Sequence, residues 1–81
     1  MSWSSLSVDI CEIAERVLTD KQLEAWKLHL AGWGMMRIAR HVGVTKGAIA
    51  DRLHNAETKL LNEGVRMDEF GKWTIETKVA A

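Results

Sequence analysis

The stretch MMRIARHVGVTKGAIADRL, Met35 to Leu53, decides the reading of this chain. It divides into two helical patterns around a tight turn. Ile38 and Val42 share one face of the first helix, with small Ala39 beside them. Ile49, Leu53, Ala56 and Leu60 follow at spacings of four, three and four, and share a face of the second. Gly43 can take the positive φ that ends the first helix without a steric clash. Four residues before it, Ala39 supplies the small side chain that two crossing helices need where they approach. Thr45 caps the second helix, with Val44 and Ile49 set as a hydrophobic staple. This is the pattern of a helix-turn-helix, expected over residues 35–62, whose second helix is the usual reader of the DNA major groove.

The flanks extend the helical reading. Ile10, Ile13, Ala14 and Val17 predict a first helix over Val8 to Val17. Thr19 and Gln22 form a capping box, and Leu18 and Leu23 a staple, at the start of a second helix. Leu23, Trp26 and Leu30 line one face of it, and it should stop at Ala31-Gly32. After the connector Trp33-Gly34, a third helix is expected over Met35 to His41. A fourth follows from the Thr45 cap to about Asn62, with Gly64 as its C′ residue. The expected fold class is all-α: a small four-helix domain over residues 1–64 and a C-terminal tail over 65–81. Within that tail Phe70 to Ile75 can form a short extended piece. Phe70, Trp73 and Ile75 need cover, from the domain itself or from another chain.

Composition bounds the function. Eighty-one residues make one small domain, and a chain this short buries only about 60–65% of its unfolded surface. Little core remains for an internal cavity. The balance of 47% hydrophobic to 27% charged residues is that of a folded protein rather than a disordered one. Four Trp with no Tyr and one Phe make indoles a main source of core volume, with Trp26 and Trp33 read as core. A single cysteine, Cys11, allows no intramolecular disulfide and fits a reducing compartment. No apolar run approaches the roughly 20 residues of a membrane span. Asp9, Glu12 and Glu15 interrupt the N-terminal region, so no signal peptide is expected. A cytoplasmic protein without a membrane partner is the expectation. His29, His41, His54 and Cys11 lack metal-ligand spacing, so neither metal nor cofactor is expected. No nucleophile with its base is visible, so the chain reads as a non-enzyme.

Net charge is zero, but its distribution is uneven. Residues 1–34 carry five acids and three bases, and residues 55–81 five acids and four bases. Residues 35–54 carry Arg37, Arg40, Lys46 and Arg52 against Asp51 alone, for +3. Local positive charge is what a phosphate-contacting surface requires. Gly47, Asp51 and His54 fall opposite the apolar face of the fourth helix. Thr45 and Lys46 sit at its N-terminus, where amides and the helix dipole favour a phosphate. Asn55 can pair with adenine and Asp51 can accept from cytosine N4. Asp51 can equally hold Arg52, Lys46 or Asn55 in place, and that supporting role is the expectation. Arg37 and Arg40 are candidates for phosphate contacts. The candidate DNA-binding set is therefore Arg37, Arg40, Thr45, Lys46, Gly47, Asp51, His54 and Asn55. Lys59 and Arg52 lie on another flank. Apolar residues outside the motif (Trp3, Leu6, Phe70, Trp73 and Ile75) suggest a homodimer through the N-terminal helix, the tail or both.

From Leu18 to Leu61 the string LTDKQLEAWKLHLAGWGMMRIARHVGVTKGAIADRLHNAETKLL resembles region 4 of sigma-70-type sigma factors, and is similar to LuxR-type helix-turn-helix domains. The shared features are an LT-x-x-Q opening, an apolar helix ending in glycine, an I-A-x-x-x-G-V-[ST] core and an R-L-x-x-A continuation. The resemblance implies promoter DNA as a partner through the second helix of the motif, and contact with RNA polymerase or a sigma-related protein. At Ala50 and Asp51, where the family's reading helix is usually basic, this chain is apolar and acidic. The resemblance implies a small free-standing regulator of transcription from a bacteriophage or bacterium. The motif also serves recombination and DNA-packaging complexes, and these residues do not separate the tasks.

Overall fold

The computed structural model describes residues 6–75. Four helices, α1 (Val8–Val17), α2 (Asp20–Leu30), α3 (Met35–Val42) and α4 (Lys46–Asn62), are followed by two short strands, β1 (Val65–Met67) and β2 (Trp73–Ile75). The helices match the sequence expectation, α3 running one residue further. Trp3 lies outside the described residues.

Caps set the helix starts. The Ser7 hydroxyl accepts from the Ile10 amide at 3.3 Å. The capping box of α2 is complete, Thr19 Oγ1 accepting from the Gln22 amide and Gln22 Oε1 from the Thr19 amide, both at 3.2 Å. Thr45 Oγ1 accepts from the Ala48 amide at 3.1 Å. A lost cap of this kind typically costs about 1 kcal/mol. Between α3 and α4 the chain turns in three residues. Gly43 sits in the left-handed region at φ +76. Its amide and that of Val44 both donate to the Ala39 carbonyl, at 2.9 and 3.0 Å, which closes α3 and releases the chain towards the Thr45 cap.

One apolar core holds the elements together. Ile10 and Ala14 of α1, Ala25, Trp26 and Leu30 of α2, Ile38 and Ala39 of α3, and Ile49, Leu53, Ala56 and Leu60 of α4 are all buried. No polar or charged residue is buried among the described residues. α4 is the central element: its most extensive packing is on α2, and it also touches α1, α3 and β1. Lys59 on α4 reaches across to α2, its Nζ donating to Gln22 Oε1 at 2.9 Å. Arg16 of α1 pairs with Glu63 just beyond α4 at 3.7 Å.

The expectation of an all-α fold needs correction, because residues 65–75 form an antiparallel hairpin with Val65 opposite Ile75, Arg66 opposite Thr74 and Met67 opposite Trp73. The cause is local. The alternation Val65-Arg66-Met67 and Trp73-Thr74-Ile75 has a period of two, and the turn between them is closed by the side chain of Asp68. Period two places Val65, Met67, Trp73 and Ile75 on one face. Val65 is buried within the helical core, and the half-buried Trp73 ring meets Trp26 edge-on at 5.6 Å.

Candidate nucleic-acid interface

The side of α4 away from the core presents the candidate residues. Lys46, Gly47, Asp51, His54 and Asn55 are exposed, interleaved with buried Ile49, Leu53 and Ala56 at helical spacing. Thr45 is also exposed, its hydroxyl engaged in the cap. On α3, exposed Arg37 and Arg40 flank buried Ile38 and Ala39. All eight candidates therefore lie at the surface. They come from two consecutive helices and the turn between them.

The electrostatics of the helix starts differ along the chain. Asp9 and Asp20 stand in the first turns of α1 and α2, whereas α3 and α4 have no acid there. At α4 the Ala48 amide is taken by Thr45, and the amides of Lys46 and Gly47 point out of the helix end. With the Lys46 ammonium beside them and no carboxylate to offset them, these groups form a small positive region suited to an anion.

One expectation about a side-chain role changes, and Lys59, expected on another flank, gains a partner there. The Asp51 side chain makes no hydrogen bond or ion pair with Lys46, Arg52, Asn55 or any other described residue, so the supporting role expected for it is absent. At helical spacing it shares an exposed side of α4 with Gly47 and His54. Lys59 is committed to Gln22 and so belongs to the α2–α4 contact.

Trp33 shows what the sequence reading missed. Expected in the core, it packs against the core cluster while staying half-buried, and its ring also serves as a platform. The Arg37 guanidinium carbon lies 4.0 Å from the ring centroid, and His41 meets the same ring edge-on at 5.1 Å. A cation–π contact near the surface contributes about 0.5–1 kcal/mol, and it restricts a long flexible side chain. Arg37 is thereby held in a defined position at the start of α3, while the Arg40 side chain has no hydrogen-bond or ion-pair partner among the described residues. The spacing Trp33, Arg37, His41 carried the signal, four residues at a time.

A depression of about 350 Å³ between α2 and α3 is lined by Asp20, Leu23, Glu24, Lys27, Leu28 and His41, and is open to solvent. Among the described residues no group of His, Cys, Asp and Glu is placed to hold a metal ion. Burial, and then the Glu15 carboxylate, push the Cys11 thiol up from its ordinary value, which disfavours the reactive thiolate. Among the described residues no helix is long and apolar enough to cross a membrane. No protein-family model, curated protein or solved structure matches this chain.

Proposed function

We propose that this chain is a sequence-specific double-stranded-DNA-binding protein that regulates transcription, with α3, the turn Gly43–Thr45 and α4 acting as a helix-turn-helix. The observation that carries the reading is the exposed start of α4. Lys46 and Gly47 stand there without an opposing acid, on the outer side of a helix whose other face is buried. Lys46 and the α4 amides take a phosphate, and Arg37 and Arg40 take others along α3. Asp51, Asn55 and His54 face the base edges. Asn55 pairs with adenine, and the Asp51 carboxylate, engaged by no described neighbour, accepts from cytosine N4.

Fluorescence anisotropy with labelled duplexes across a salt series tests this. Binding should weaken steeply as salt rises. Lys46→Ala should weaken binding to all sequences and reduce the salt slope by about one. Asn55→Ala should instead change which sequences are selected from a random duplex pool. Absence of duplex binding at about 50 mM salt, or binding that ignores salt, would overturn the reading. A second reading, contact with RNA polymerase or a sigma-related protein, is favoured by Met35 and Met36. Both are exposed at the start of α3, where adaptable thioether side chains suit a protein partner. Stoichiometric capture of a purified polymerase subunit without duplex affinity would select it.

A further inference from the structure

The apolar face of the hairpin extends past the helices that support it. Val65 is buried, yet Met67 on the same face is 52% exposed. Leu61, in the last turn of α4, is 53% exposed. Leu61, Val65, Met67 and Trp73 line a groove of about 310 Å³, with Glu57 and Arg66 also on its walls. A cavity of about 150 Å³ lined by aliphatic and aromatic side chains accommodates benzene, so this groove has room for a phenyl ring.

Next to the groove stands a ring of the right kind. Phe70, in the turn between β1 and β2, is 80% exposed, more than any other large hydrophobic residue among those described. Its turn is tightly fixed. Asp68 Oδ1 accepts from the amides of Phe70 and Lys72 at 2.9 and 2.8 Å. The Asp68 amide donates to the Lys72 carbonyl at 2.7 Å, and the Gly71 amide to the Asp68 carbonyl at 3.1 Å. Gly71 occupies φ +78, which a side chain would strain. A ring presented on so constrained a turn has little freedom to lose on contact. Lys72 follows two residues after the ring, and Glu57 stands on the groove wall.

We propose that two copies of this chain associate about a twofold axis, each placing Phe70 in the groove between Leu61, Met67 and Trp73 of the other. A twofold interface requires knob and hole on one continuous surface, and here both lie on the hairpin end of the molecule. The charges beside knob and hole match on exchange, Lys72 meeting Glu57 across the axis. This interface lies at the C-terminal end of α4 and leaves the start of that helix uncovered. It stands independently of the DNA reading.

Sedimentation equilibrium of the full chain without DNA, at tens of micromolar, tests it. The expected mass is twice the 9.1 kDa of one chain. Phe70→Asp and, separately, Leu61→Asp should each return the monomer, with the helical circular dichroism and melting temperature retained. Lys72→Glu should weaken association about tenfold through repulsion of Glu57, and Lys72→Glu combined with Glu57→Lys should restore it. A monomer at every concentration, or a dimer that survives both Phe70→Asp and Leu61→Asp, would overturn the proposal. A series of species beyond the dimer would also overturn it, because that requires an open head-to-tail contact.

Discussion

At its start α4 shows solvent a polar, hydrogen-bonding surface of Lys46, Gly47, Asp51, His54 and Asn55, with the cations Arg37 and Arg40 alongside on α3. At its other end, 17 residues on and about 25 Å away, solvent meets Leu61, Met67 and Phe70. The same helix thus joins two surfaces of opposite chemistry, and its buried face, Ile49, Leu53, Ala56 and Leu60, runs unbroken between them. The contrast separates tasks. A surface where the cations Arg37, Arg40 and Lys46 outnumber the single acid Asp51 suits a polyanion, whereas exposed apolar side chains around a rigid turn suit a protein surface. A small domain with one core gains two faces by extending a single helix.

The largest expected effect comes from Trp26, fully buried on α2 and in edge-on contact with Trp73 of the hairpin. Trp26→Ala should destabilise the fold by about 3–5 kcal/mol, read as a lower urea midpoint. Because Trp26 supports helices and hairpin together, a single cooperative transition should remain. If the hairpin signal were lost first while α1–α4 stayed folded, the two ends would be a domain and an appendage. The comparison would then fail at its root.

Gly43→Ala should act at one end only. A Cβ at Gly43 meets nothing within 4 Å, so the effect is conformational strain at φ +76 without a clash. About 1–2 kcal/mol of stability should be lost, with the urea midpoint lowered at an unchanged slope. The turn into α4 should shift, and duplex affinity should fall beyond what the stability loss explains. Self-association, measured at a urea concentration where the variant is folded, should be unaffected. Loss of both functions in parallel would show that the two ends are coupled through α4.

How much of this was legible in the sequence differs by region. Helix limits were readable because capping leaves a local signature: Thr19 with Gln22, Thr45 alone, Gly43 at the exit of α3. The core followed from the period of Ile49, Leu53, Ala56 and Leu60. The hairpin was left open, because three-residue strands carry too few alternations to decide and its cover depends on Trp26, distant in sequence. The candidate residues were expected at the surface and lie there, but their neighbours were not foreseen. Lys59 turning to Gln22 joins residues 37 apart, and stacking of Arg37 on Trp33 depends on how the connector before α3 bends. The freedom of Asp51 from Lys46 and Arg52 is likewise a matter of side-chain direction, which spacing alone leaves undecided.

The smallest effect in stability is also the most specific test of the α4 surface. Gly47 lies in the first turn of α4, and a Cβ built there meets only Thr45 Oγ1 at 3.9 Å, an ordinary contact. Its backbone is helical, with no positive φ to protect. Nothing in the fold requires glycine at this position, and within a helix glycine is less favourable than alanine by about 0.5–1 kcal/mol. Gly47→Ala should therefore raise stability by about that amount, seen as a higher urea midpoint. A glycine that weakens its own helix makes sense where a partner's backbone or phosphate must come close. The same substitution should accordingly lower duplex affinity while self-association at the hairpin end is unchanged. Higher stability with full duplex affinity would move the contact surface away from Gly47, towards the Asp51–Asn55 part of α4 or off this helix altogether.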